Sequence, residues 1–254
     1  MAMRADTGET DLRGGFPETR ASAVAGVRSA DVAVRERSRA AIVTVYWKPV
    51  YKYLRLRWGE GHESAQDLTQ EFFARAFGKE FFERFDDRKA RFRTFLRTCV
   101  DALVAKERQA SQRLKRGGGA ITLSLDFEGA EAELGELAGR NSSDLETVFD
   151  REWVRSLFAT AIERLQTECE SSGKSVEWKL FARYDLEDNA TISYDSLARD
   201  FGITVTSVTN QLAAMRREFR RLVLDTLREL TASDEEFRLE ARALFRKFEA
   251  GGLP

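Results

Sequence analysis

The 254-residue chain has two cysteines, Cys99 and Cys169, and one histidine, His62. The thiols lie far apart in sequence and neither has a metal-ligand companion. That argues against a disulfide framework or a structural zinc site and favours a reducing compartment. A lone histidine in a Gly-flanked turn, with no base near either thiol in sequence, leaves no constellation for nucleophilic or general acid–base catalysis, and Asp86-Asp87 reads more simply as a helix start or loop. No run of about 18 apolar residues occurs, and the N-terminus has no secretory hydrophobic region. The expectation is a soluble, cytoplasmic, non-enzymatic protein that needs no cofactor, no metal and no membrane. Gly117-Gly118-Gly119 is followed by no Gly-Lys-Ser/Thr, which removes a phosphate-binding loop from consideration.

Net charge is also nearly absent, at −1, but the balance conceals segregation. From Arg84 to Arg116 there are eleven Lys/Arg against four Asp/Glu, whereas Asp126 to Asp150 holds eight acids and one Arg. A basic block, an acidic connector and a second basic block at Arg216 to Arg228 suit a nucleic-acid binder whose connector repels nucleic acid. Ordinary solvated helix faces would give a similar pattern.

What is plentiful is helical periodicity. Ala65, Leu68, Phe72, Phe73 and Ala76 form one apolar stripe, with Asp67, Gln70 and Glu71 on the opposite face. The next stripe is Phe92, Phe95, Leu96, Cys99, Val100, Leu103 and Val104, surrounded by Arg91, Arg93, Arg97, Lys106, Arg108, Arg113, Lys115 and Arg116. Upstream, Thr19 could cap a short helix, Ser29 or Asp31 could start another turn, and a long helix is expected from about Ser38 to Trp58, bent or divided at Pro49 and closed by Gly59 and Gly61. The Glu63-Ser64 pair is expected to open the acid-faced helix. Between the two central helices, Phe81, Phe82 and Phe85 lie close to Arg88 and Lys89. Such aromatics can stack unpaired bases, although completing the core is the more frequent role.

After Gly117 the composition predicts a flexible tether through Ser143, with order resuming at Ser143 or Asp144. Helices are then expected around Trp153 to Leu165 and from Val176 to Tyr184. Ser193 caps a short helix, Gly202 makes a turn and Thr204 caps a helix from Val205, which is a helix-turn-helix signature. Thr206, Ser207, Asn210 and Gln211 fall near the N-terminal end of its second helix, where base edges are read, and Arg216, Arg217, Arg220 and Arg221 follow where cations reach phosphates. Ser233 can cap a last amphipathic helix carrying Phe237, Leu239, Ala243, Leu244 and Phe248.

The combination resembles a bacterial RNA polymerase sigma factor of the extracytoplasmic-function (ECF) type in the sigma-seventy superfamily. Tyr46-Trp47-Lys48-Pro49-Val50-Tyr51 with Ala65-Gln66-Asp67-Leu68-Thr69-Gln70-Glu71-Phe72-Phe73 is similar to the start of sigma region two, and Phe92-Arg93-Thr94-Phe95-Leu96-Arg97-Thr98 to its promoter-melting helix. Leu197-Ala198, Phe201-Gly202-Ile203 and Val208 to Met215 resemble region four. The resemblance implies an all-α fold of two small helical domains joined by a flexible linker: a tail over 1–37, region two over 38–116, a linker over 117–143, region four over 144–230 and a helical extension over 231–254. It implies docking on the RNA polymerase core through Asp67, Gln70 and Glu71, and contact with the minus-ten element through Arg88, Lys89, Arg91, Arg93, Arg97, Thr98, Lys106 and Arg108. For the minus-thirty-five element it implies Thr206, Ser207, Asn210, Gln211, Arg216, Arg217 and Arg220.

Three features depart from the pattern. Phe95 and Ala102 stand where the family often has Trp and Asn, so its minus-ten base preference does not transfer directly. Ser64 stands where an acid is usual, and phosphorylation there would restore negative charge near a helix N-terminus. The third departure is the two ends, which a minimal member lacks; the expectation is that the last helix packs on region four and restrains the free protein. Besides polymerase and promoter DNA, an anti-sigma factor or a Ser/Thr kinase would be the regulatory partner. The rival reading is a stand-alone helix-turn-helix regulator that binds duplex DNA as a dimer.

Overall fold

A computed structural model describes residues 22–78, 81–111, 124–137, 145–187 and 192–251; every regular element among them is helical. The readings for Thr19, Arg113, Lys115, Arg116, Gly117 to Gly119, Ser143 and Asp144, and for the Phe248 side chain, lie outside what is described.

The chain enters through a short helix, α1 (Ala23–Gly26), whose first turn is closed by the Ser22 hydroxyl accepting from the Val24 amide at 3.1 Å. Asp31 then caps α2 (Val32–Arg57), its carboxylate accepting from the amides of Ala33 and Val34. The expected start near Ser38 is therefore corrected: one cap launches a single 26-residue helix. Neither does Pro49 divide it. A missing amide and ring clash cost about 3 kcal/mol in a helix interior, and the burial of Ile42, Val45, Tyr46, Val50, Tyr51 and Leu54 along this one helix offsets that.

Gly59, at φ +67°, turns the chain away from α2 as expected. The acid-faced helix, α3 (His62–Ala76), is preceded by Gly61 in extended conformation, so Ser64 falls inside its first turn and does not open it. A 3₁₀ turn at Phe82–Arg84 leads to α4 (Phe92–Ser111). Around it Phe81 and Phe85 pack against Phe95 at ring separations of 5.3 and 5.1 Å, and Phe82 is stacked on Phe92 at 6.0 Å. These rings complete a core.

The acidic connector holds a helix, α5 (Phe127–Leu137), which corrects the expectation of an unstructured tether over that stretch. Phe127, Ala130 and Leu134 recur at helical spacing and are buried, with Phe127 edge-on to Trp47 at 5.4 Å. A stripe built on Phe127, Ala130 and Leu134, one of them an alanine, was too weak to stand out against the flanking Gly and acids.

The longest helix among the described residues, α6 (Leu145–Ser171), lies extensively along α2 and continues to a second neighbour, α9. Phe149, Trp153 and Leu157 are buried in this run, each worth about 1.5–3 kcal/mol. Next come α7 (Ser175–Phe181), a π-helical turn (Ala182–Leu186), α8 (Tyr194–Phe201), α9 (Val205–Glu229) and α10 (Asp234–Gly251). Buried apolar residues form one contiguous cluster from Ala23 to Leu244, so α6 joins the halves before and after the connector into one packed body.

That joint is charged as well as apolar. The Lys52 ammonium, fully buried on α2, is 2.6 Å from Glu152 of α6 and 2.5 Å from Glu133 of α5, which also takes Lys48 at 2.8 Å. Glu131 of α5 accepts from Arg55 and from the Tyr51 hydroxyl, and Tyr51 also meets His62 Nδ1 at 2.6 Å. Glu131 and Glu133 of the connector thus pair with three cations of α2, Lys48, Lys52 and Arg55.

Candidate nucleic-acid interface

The helix-turn-helix forms as its caps require. The Ser193 hydroxyl accepts from the Ser196 amide at 3.2 Å to start α8, and Gly202 takes the left-handed turn at φ +65°. The Thr204 hydroxyl then accepts from the Ser207 amide at 3.1 Å to start α9. Leu197, Ala198, Val208 and Leu212 are buried between the two helices. Thr206 and Asn210 are exposed, and Ser207 and Gln211 are half-buried and joined by a 3.1 Å hydrogen bond from Gln211 Nε2 to Ser207 Oγ. A helix N-terminus that presents a hydroxyl and amides beside a positive dipole end suits contact with base edges and phosphates.

The cations downstream divide. Arg217 and Arg220 are exposed. Arg216 is turned inward to Asp185, donating from its terminal nitrogen at 2.8 Å and from Nε at 3.1 Å, with its guanidinium 5.5 Å from the Tyr184 ring. Arg221 is shared among Glu168, Glu218 and Asp225. Arg216 therefore braces the turn after α7 against α9, in the position where sequence had it reaching for phosphate.

Around α4 the division is sharper. Arg88, Lys89, Thr98 and Lys106 are exposed, Lys89 lying 3.2 Å from Asp86, and Arg97 is half-buried. Arg108 donates to the Trp58 carbonyl at 2.5 Å, sits 2.9 Å from Glu60 and lies 4.9 Å from the Trp58 ring. Arg93 is sandwiched: Glu240 of α10 at 2.9 Å, Asp150 of α6 at 3.0 Å and the Trp153 ring at 4.9 Å. Arg91 lies 3.5 Å from Glu240. The Phe92 amide, at the start of α4, donates to Glu236 at 2.6 Å.

Sequence reasoning passed over Glu236 and Glu240, although one signal was present. Ser233 and Glu236 stand at capping-box spacing, and the Glu236 amide donates to Ser233 Oγ at 3.3 Å while its carboxylate returns to the Ala232 amide at 2.8 Å. The second carboxylate oxygen is what reaches α4, and nothing local encodes that.

On α3, Asp67 is exposed, Gln70 is half-buried and Glu71 pairs with Arg75 one turn later. Ser64 is exposed and donates to Glu60 at 2.8 Å. Of the thiols, Cys99 is half-buried, with burial pushing its pKa up to about 11, and Cys169 is buried; the two are not joined in a disulfide.

A family model described as ECF sigma factor matches residues 50–225, more than half of the chain, from within α2 to near the end of α9. The chain belongs to the ECF sigma factor family. Its role is that of a sigma factor in transcription initiation, with RNA polymerase core and promoter DNA as the partners that role implies. No curated protein and no solved structure matches it. No helix among the described residues is long and apolar enough to cross a membrane.

Proposed function

We propose that this sigma factor docks on the polymerase core through the α3 face bearing Asp67, Gln70 and Glu71, and that the α4 region opens the minus-ten element. In the same reading α9 reads the minus-thirty-five element with Thr206, Ser207, Asn210 and Gln211. The boundaries follow the sequence reading, with region two at 38–116, region four at 144–230 and the linker between them. The chain contributes no catalytic step; strand opening is driven by trapping unstacked bases. The observation that carries the reading is the Thr204-capped helix end, exposed at Thr206 and Asn210, within a stretch matched by the sigma family.

Co-purification with core polymerase, followed by run-off transcription from a promoter library, tests it. The expected result is a stoichiometric complex that initiates from promoters sharing an upstream motif. Asn210→Ala should relax preference at one position of that motif by about 1–3 kcal/mol. A chain that ignores core polymerase and dimerises on palindromic duplex would overturn it.

Ser64 is proposed as a modification site, because a phosphate in the first turn of α3 gains from the helix dipole. Glu60 would have to swing away from it. Equal core binding by Ser64→Asp and Ser64→Ala removes the proposal.

A further inference from the structure

Two carboxylates on α10 hold the start of α4, and both are almost wholly out of solvent: Glu236 is 6% and Glu240 2% exposed. Glu236 joins two helix starts, accepting from the Phe92 amide of α4 with one oxygen and from the Ala232 amide beside its own helix with the other. Glu240 lies against both arginines that flank Phe92. Behind them α10 is anchored on α9, with Leu244 buried and Arg228 lying 4.4 Å over the Phe237 ring. A backbone amide at a helix start together with two guanidinium groups is the donor set that a nucleic-acid phosphate would engage. Here the chain's own carboxylates engage it.

We propose that α10 is an intramolecular gate: in the free protein Glu236 and Glu240 occupy the phosphate-binding donors at the start of α4, and release of α10 on the polymerase exposes them to promoter DNA. The inference rests on the sigma-factor reading for its partner and goes beyond it in naming the donors on α4 that the C-terminal helix covers and what uncovers them. A phosphate arriving at Arg91 and Arg93 would have to displace two buried, paired acids, so the closed form discounts DNA affinity by the fraction of molecules that are open. Exposed Arg88, Lys89 and Lys106 leave a weak, salt-sensitive affinity in the closed form.

The test uses the full chain with three readouts: hydrogen exchange at the Phe92 amide, fluorescence anisotropy with a labelled 30-nucleotide single strand, and core-polymerase binding. The double variant E236Q/E240Q and the charge reversal E240R should each lose Phe92 protection and bind the strand about tenfold more tightly than wild type, the gain expected for a closed fraction near nine-tenths. In the wild type, adding core polymerase should raise exchange at Phe92. The gate is overturned if Phe92 deprotects with no gain in DNA affinity, or if both variants keep it protected. It is also overturned if Phe92 stays protected in the polymerase complex, an arm that needs no variant to fold. Failure of the wild type to bind polymerase at all would instead sink the sigma-factor reading.

Discussion

The starts of α4 and α9, the two helices expected to meet DNA, are held in different ways. At α9 the cap is its own: Thr204, three residues from the amide it satisfies, closes the first turn from within the segment and leaves Thr206 and Asn210 exposed. At α4 the Phe92 amide is satisfied by Glu236, 144 residues away, and the arginines beside it are satisfied by Glu240 and Asp150. A local cap frees a surface, whereas a distant one couples that surface to whatever holds the distant element. In the proposed reading, the DNA-facing end of α9 is presented by its own cap, whereas that of α4 is conditional on the position of α10.

The contrast can be broken at several points. The largest effect is expected where a distant charge is most deeply buried. Lys52→Met takes from Glu152 its buried cation between α2 and α6, leaving it only the half-exposed Arg155 at 2.9 Å, and should cost about 3 kcal/mol in denaturant unfolding. Adding Glu152→Leu should recover most of it. A single variant that unfolds like wild type would mean that the charged joint does not hold the halves together. Next, Glu236→Ala strips the Phe92 amide of its acceptor and should cost about 1.5–3 kcal/mol. Thr204→Ala, the local counterpart, should cost about 1 kcal/mol. Reversal of that order would show the distant cap to be incidental.

A finer test is the pH dependence, which has opposite signs at two places. Burial chiefly raises the carboxyls of Glu236 and Glu240 above the usual glutamate range. The Ala232 and Phe92 amides oppose this at Glu236 and Arg93 and Arg91 at Glu240, while Glu240 and Asp87 add to it at Glu236 and Asp150 at Glu240. Their folded forms bind protons more readily than their unfolded ones. Their contribution is therefore complete below the unfolded value and lost as pH rises through the folded one. The stability advantage of wild type over E236Q/E240Q should accordingly shrink as pH is raised from about 4. Glu131 is the reverse case: a hydrogen bond from Arg55 holds it at about 2. Its contribution is present above the ordinary glutamate value and disappears as pH falls towards 2. Wild type should exceed Glu131→Gln by about 1 kcal/mol or less at neutral pH, a margin that vanishes in acid. Unfolding curves at stepped pH measure both, and parallel profiles would contradict the assignment.

The all-helical class, the apolar stripes of α3 and α4, and the caps at Ser193 and Thr204 were legible in the sequence, because each depends on residues within one or two turns of each other. Asp31 was legible as a helix start, but the length of α2 was not, because Pro49 signals interruption locally and only the packing along α2 outweighs it. Helix α5 was hidden for a related reason, its Phe127 gaining meaning only against Trp47 and Tyr51.

Sequence alone thus determined most of the segments that form helices, where the helix-turn-helix begins and which side chains carry charge. Tertiary structure decided which charges are spent internally: Arg216 on Asp185, Lys52 on Glu152, Arg93 on Glu240. An ion pair depends on side chains meeting within about 4 Å, and residues tens to more than a hundred positions apart meet only once the helices have packed.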